Sequence, residues 1–261
     1  MSVNQLRDPA SNVALPDLVQ RYVECNVSSS GSGRHGVRFT QAGEMQLRPG
    51  RWSPFHAKQE IASDRVAFAW HASFRLAPFV RLEVKDWYRA DAAGLDARLW
   101  GIIRVEHARG PQIERGEAIR YLLELPLAPQ AMALNAALQW RAVDASTVEV
   151  ATLAGGERVI VLLHFDASGD IASASAEARP RMVGKRIVDT PLSGAYSAYR
   201  TFDGVRLPTT AEVSWILPDG PFAYFRGAIV DWSAETQTQL HGLQRAGRPE
   251  SPRPTSSRAA S

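Results

Sequence analysis

Residues Thr190 to Trp232, TPLSGAYSAYRTFDGVRLPTTAEVSWILPDGPFAYFRGAIVDW, read as the closing strands of a large antiparallel sheet. Asp203-Gly204 is a turn dipeptide, because glycine accepts a positive φ at no steric cost. From Val205 to Ile216 the residues alternate. Val205, Leu207, Ala211, Val213 and Trp215 fall on one side, with Arg206, Glu212 and Ser214 on the other. Pro208 has no amide hydrogen to give a ladder and marks an edge or a bulge. Pro218-Asp219-Gly220-Pro221 is a second turn, and Phe222 to Val230 runs back with aromatic and β-branched residues.

The same period of two recurs upstream. It predicts strands over Val37–Leu47, Trp52–Ile61, Val66–Leu76, Val80–Tyr88 and Leu95–Val105, then Gln139–Val143, Thr147–Leu153, Arg158–Phe165 and Ile171–Ala178. Arg158–Phe165 is apolar on both faces, which places it centrally or beneath a helix. Two stretches break the pattern. Leu15-Pro16-Asp17 opens a short helix with an apolar stripe of Leu18, Val19, Tyr22 and Val23. Glu114–Leu125 has helical spacing, ends at Pro126, and is followed by a short helical stretch over Ala131–Leu138. Helices interrupting antiparallel strands give an α+β fold. The domain expected runs from 15 to 235, with a loose N-terminus over 1–14 and a disordered tail rich in Arg, Pro and Ser over 236–261.

The chain has 261 residues and a formal charge of +3. From Leu243 onward, Arg245, Arg248, Arg253 and Arg258 against Glu250 account for that whole excess. The body of the chain is neutral, so a nucleic-acid-binding face is not expected. Cys25 is the one cysteine, which excludes an internal disulfide or a cysteine-rich zinc site, and it reads as a small buried hydrophobe. The first 16 residues, MSVNQLRDPASNVALP, hold no apolar signal region, and no apolar run is long enough to span a bilayer. The location expected is cytoplasmic. Gly31 to Gly36 matches G-x-G-x-x-G, but a helix precedes it and a strand follows, the reverse of a dinucleotide-binding context.

Four strings carry a family resemblance: GRWSPFHAKQ at Gly50–Gln59, GEAIRYLLE at Gly116–Glu124, FDASGDI at Phe165–Ile171, and Tyr199–Ile229, with its core GVRLPTTAEVSWILPDGPF. Over residues 15–232 the chain resembles a bacterial family known as a domain of unknown function. Its fold is similar to that of lipoprotein-carrier domains of the LolA/LppX type. That resemblance implies a strongly curved antiparallel sheet, an open half-barrel, with short helices packed in the concave face. It also implies a hydrophobic or amphipathic small molecule, such as a lipid, held between sheet and helices.

The candidate ligand-binding residues are Trp70, Phe74, Glu117, Arg120, Tyr121, Glu124, Trp140 and Trp215. Glu117, Arg120 and Glu124 are helical neighbours three and four apart, so they form ion pairs on one face. The tryptophans lie in strands and can line an apolar cavity, although core packing explains them as well. An enzyme would use Glu117, Arg120, Tyr121 and Glu124, with His71 or His107, converging on an accessible cleft. A third reading is an interaction domain with a free sheet edge. No catalytic residue is assigned. The six histidines lack metal-ligand spacing, there is no G-x-S-x-G elbow, and neither metal nor cofactor is expected.

Overall fold

A computed structural model describes residues 15–28, 35–89, 92–240 and 242–243. Its frame is one curled antiparallel sheet, an open half-barrel of thirteen strands. The first meander is β1 (Gly36–Arg48), β2 (Arg51–Ala62), β3 (Phe68–Ala77), β4 (Val80–Arg89), β5 (Ala92–Leu99) and β6 (Ile103–Ala108). The second is β7 (Gln139–Ala142), β8 (Thr147–Ala154), β9 (Glu157–Phe165), β10 (Ile171–Val183), β11 (Arg186–Phe202), β12 (Val205–Leu217) and β13 (Gly220–Glu235). The order across the sheet is β6-β5-β4-β3-β2-β1-β13-β12-β11-β10-β9-β8-β7. First and last strands therefore meet in the middle, and β6 and β7 form the two edges.

That order forces the link between β6 and β7 to cross from one edge to the other. It does so through α2 (Pro111–Leu123), a 3-10 turn (Leu125–Leu127) and α3 (Ala131–Leu134). α2 packs on β4 and β5 of one arm and on β8, β9 and β10 of the other. On a flat sheet β5 and β8 would be ten strand spacings apart, roughly 48 Å. A helix about 10 Å across touches both only if the sheet wraps around it. Side-chain hydrogen bonds hold the crossing to the strands. Tyr196 Oη donates to the Leu123 carbonyl at 2.6 Å, Trp232 Nε1 to Leu127 at 2.9 Å, and Tyr121 Oη to Ala62 at 3.0 Å.

α1 (Asp17–Asn26) packs against α3 and β12. Its buried stripe is Val19, Tyr22, Val23 and Asn26, at the spacing of one helical face. Cys25 falls off that stripe and is exposed, not buried as the sequence suggested. The expected strand Leu95–Val105 is instead a hairpin, β5 and β6 around a turn at 100–102, where Trp100 has φ of +52° and Gly101 +71°. The alternation continues on both sides of this turn, so periodicity alone did not reveal it. Pro208 lies in the part of β12 that pairs with β11 but not β13, where its missing amide is harmless. Within the stretch assigned from sequence to the tail, Leu240 and Leu243 are buried with Ala62 and Ala67. Residues 1–14 and 244–261, assigned from sequence to loose ends, lie outside the described residues, as does most of the glycine-rich stretch 31–36.

Two glycines test the packing. A Cβ on Gly43 of β1 would overlap the Arg226 carbonyl oxygen and stand 2.9 Å from Gly227 Cα, at the β1–β13 seam between the meanders. Gly116 in α2 has nothing within 4 Å of the same position. Gly43→Ala should lower stability by about 2 kcal/mol through strain, and Gly116→Ala should raise it by about 1 kcal/mol through helix propensity. Urea unfolding of the two variants checks both signs.

Candidate functional site

Beneath α2 five charged side chains meet in the concavity. Helical spacing puts Glu117, Arg120 and Glu124 on the face toward the sheet, where β4 supplies Asp86 and β10 supplies Arg179. Arg120 Nη1 donates to Asp86 Oδ2 at 2.8 Å and Nε donates to Glu124 Oε1 at 2.9 Å. Gln59 Nε2 on β2 donates to the other Glu124 oxygen. The Arg120 guanidinium lies 4.9 Å and 4.8 Å from the ring centres of Phe68 and Trp70, so the aromatic wall also faces its cation. Arg179 donates from Nε to the Gly116 carbonyl at 3.2 Å and from Nη1 to Tyr224 Oη at 3.0 Å.

Glu117 sits between the two arginines, with Oε2 4.0 Å from Arg120 Nη1 and Oε1 3.9 Å from Arg179 Nη2. Glu117 Oε2, Asp86 Oδ1 and Gln59 Oε1 are all buried without a hydrogen-bond partner. Each such acceptor costs roughly 1–3 kcal/mol.

The cluster holds three carboxylates against two guanidiniums. Burial, followed by the nearby Glu117 charge, pushes the Asp86 pKa up to about 7, although Arg120 and Arg179 oppose it. Burial raises Glu117 as well, again against both arginines. For Arg120, burial disfavours the cation, but Glu124, Asp86 and Glu117 outweigh it and hold the guanidinium firmly charged. A proton kept on Asp86 brings the five groups to neutrality.

The aromatic wall continues from this cluster. Phe55 packs on Trp70, Phe74 and Phe225 at ring-centre distances of 5.9, 5.5 and 5.5 Å. Trp70 Nε1 donates to Gln41 Oε1 at 3.1 Å. Trp215 stacks on Tyr224 at 5.3 Å and faces Arg179 at 5.7 Å.

Of the eight residues singled out from sequence, Trp70, Glu117, Arg120 and Glu124 come together directly. Phe74 joins through Trp70, and Trp215 through Arg179. Tyr121 points elsewhere, bonded to the Ala62 carbonyl and accepting from Asn135 Nδ2 at 2.9 Å. Trp140 stands on the edge strand β7, paired across to Val150. His71 and His107 face Glu83 and Asp96 on the outer surface of the first meander, away from the cluster. Sequence reasoning missed Asp86 and Arg179. A signal for Asp86 was present, since alternation places it between Val84 and Tyr88 on the buried face of β4, opposite Glu83 and Lys85; Arg179 lies in a strand of mixed character with no such signal.

Side chains of one continuous core pack the concavity. A void beside Gln41, Leu127 and Phe225 measures about 10 Å³, less than a water needs. A groove of about 430 Å³ lies on the opposite face. Tyr196 and Gln41 point inward, so Ala42, Ala195 and Ser197 beside them point outward and line this groove with Glu44, Glu212 and Arg226. Its small side chains make a shallow saddle, which would leave most of a ligand in water. The buried polar atoms belong to the concave side. Among the described residues no helix is long and apolar enough to cross a membrane, and no group of three or more His, Cys, Asp or Glu side chains could hold a metal.

A model of a family described as "Family of unknown function (DUF6544)" matches residues 5–227. No curated protein matches the chain. Among solved structures, a LolA superfamily protein from Nitrosomonas europaea is similar at a TM-score of 0.44 and 9% identity, over 85% of this chain and 94% of that one. At that score and identity the likeness says nothing about the site.

The raised Asp86 pKa gives a signed pH dependence. In the unfolded chain Asp86 ionises near its ordinary 3.8, whereas in the fold it keeps its proton to about 7. The stability tied to that proton is whole below about pH 4 and is lost as pH rises through about 7. Melting temperature should therefore fall between pH 5 and 8 in the wild type. Asp86→Asn, which mimics the protonated acid, should flatten that fall; an unchanged slope would place the proton elsewhere. Arg120→Met strands the carboxylates and should cost about 3–5 kcal/mol in urea unfolding at neutral pH.

Proposed function

The chain belongs to the DUF6544 family of unknown function, and we propose that it binds an amphipathic small molecule within the half-barrel. The polar end sits at Asp86, Glu117 and Gln59, and the apolar end lies along Phe55, Phe74 and Phe225. The observation that carries this reading is the trio of partnerless buried acceptors beside an aromatic wall. A ligand hydroxyl would satisfy them, donating to Glu117 Oε2 or Gln59 Oε1 and accepting from Asp86 Oδ1 while that carboxyl keeps its proton. Glu117 and Glu124 already match the two guanidiniums, so no cation is left over for an anion, and the fitting head group is a hydroxyl or an amine. Side chains pack the interior, so a ligand there must displace some of them, and the probes below read whether it can. Compared with an enzyme, a binding protein better suits a cluster sealed under a helix. The raised Asp86, protonated to about pH 7, and the raised Glu117 beside it are the features that favour acid–base chemistry instead.

Native mass spectrometry of the purified protein, with organic extraction of the same sample, tests the reading first. The expected result is one amphipathic molecule per chain. Incubation of apo protein with monoolein or dodecylamine should add one ligand mass and raise the melting temperature; a ligand at a hundred times its Kd stabilises by about 2.7 kcal/mol. Dodecanoate should do neither. The reading fails if no probe binds or if dodecanoate binds best.

A further inference from the structure

The hairpin turns at 49–50, 78–79, 100–102, 184–185 and 218–219 all lie at one end of the half-barrel, because successive antiparallel strands alternate in direction and β13 runs against β1. The chemistry of that end is unusual. Phe79 is 94% exposed, Ile102 82% and Trp100 52%. Phe79 and Trp100 also carry φ of +67° and +52°, a region that bulky side chains avoid and where glycine or asparagine would be at ease. The two tips are joined, since Trp100 Nε1 donates to the Phe79 carbonyl at 2.7 Å and its backbone NH to Arg81 at 2.9 Å. Met182 and Val183, both about half exposed, stand at the β10–β11 tip.

Cations surround these side chains. Arg75 and Arg81 are direct cross-strand partners, an arrangement that repels unless an anion comes between them. Arg48 and Arg51 repeat it across the neighbouring turn, and Lys185 and Arg186 follow at the β10–β11 tip. Of the five turns named above Asp219 alone is acidic, whereas the turns of the other end carry Asp64, Asp144, Asp166 and Asp203. The protein body is neutral in total, yet it is polarised from end to end.

We infer that this end docks on an anionic lipid bilayer. Phe79, Trp100 and Ile102 enter the boundary between head groups and acyl chains, and the paired arginines take lipid phosphates. Charge complementarity selects this occupant, and area argues against a second copy of the chain. The three side chains offer on the order of 400 Å² of apolar surface, about half of what each partner gives to a stable protein interface. Projecting aromatic tips with flanking arginines suit the head-group region of a membrane. The inference does not depend on a ligand in the concavity.

Co-sedimentation of the full chain with vesicles tests it. The protein should pellet with vesicles of equal parts phosphatidylcholine and phosphatidylglycerol, stay in solution with phosphatidylcholine alone, and release as salt rises. Phe79→Asn should weaken the association about tenfold while holding or raising the melting temperature, because asparagine accepts the positive φ. A side chain serving only the fold could not give that opposite pair of effects. Arg75→Gln with Arg81→Gln should remove the preference for the anionic vesicles. The inference is overturned if the mixed vesicles leave the protein in the supernatant, or if Phe79→Asn binds them like the wild type. It is also overturned if light scattering finds a dimer that this substitution dissolves, which would give the tips to a second copy of the chain.

Discussion

One helix held between two arms of a single sheet is the constraint on which the rest of the structure depends. Because β1 pairs with β13, the meanders grow outward from the middle and leave β6 and β7 at opposite edges. The residues between those edges must then cross the concavity, and α2 makes contact on both sides as it does. Apolar burial around α2 therefore stabilises the curl as much as the helix. Ala118, Ile119, Tyr121, Leu122 and Leu123 are buried on several faces of the helix, not along one stripe. A helix with one apolar face would suit a flat sheet; this one suits an enclosure.

The same enclosure makes the charged cluster expensive and specific. Desolvating five ionic groups is not repaid by Coulomb attraction alone, and an apolar replacement would commonly be as stable. What the ion pairs provide is register. Arg120 reaches Asp86 on β4 and Glu124 on its own helix, while Arg179 reaches from β10 to the Gly116 carbonyl and Tyr224. A shift of α2 by one turn would break the Arg120–Asp86, Gln59–Glu124 and Arg179–Gly116 bonds together and bury bare charges. The apolar contacts alone would tolerate such a slide far better. Polar groups thus fix the position of a helix that hydrophobic burial only holds in place.

Much of this was legible in the sequence, and the gaps have physical reasons. Alternation identifies a strand wherever one face is buried, so most strands and the antiparallel class could be read directly. It fails at Trp100-Gly101, where both sides of the turn keep the period and a tryptophan occupies a position usually given to asparagine or glycine. On the helix, Glu117, Arg120 and Glu124 were readable because their neighbours in space are neighbours in sequence. Asp86 and Arg179 could not be joined to that helix, since they lie 34 residues from Arg120 and 63 from Gly116, the groups they bond. Tyr121 was readable as a polar aromatic of the same helix, but its direction was not, because only the fold places the Ala62 carbonyl beside it.

Net charge hid the most. A body that sums to zero looked like a neutral surface, and from composition that was the right conclusion. The sum conceals a separation that topology alone reveals, with arginines flanking the turns of one end, most of the turn aspartates at the other, and three carboxyl groups to two guanidiniums in the concavity. Each location selects a different partner from the same residue types. Arginine 2.8 Å from a buried aspartate and over a tryptophan ring is already neutralised and presents nothing to an incoming anion. Arginine opposite arginine on an exposed hairpin, as at Arg75 and Arg81, has no ion-pair partner among the described residues. The interior therefore disfavours an anionic head group while the outer end attracts one, so an anionic lipid suits the surface as a platform and does not suit the concavity as cargo.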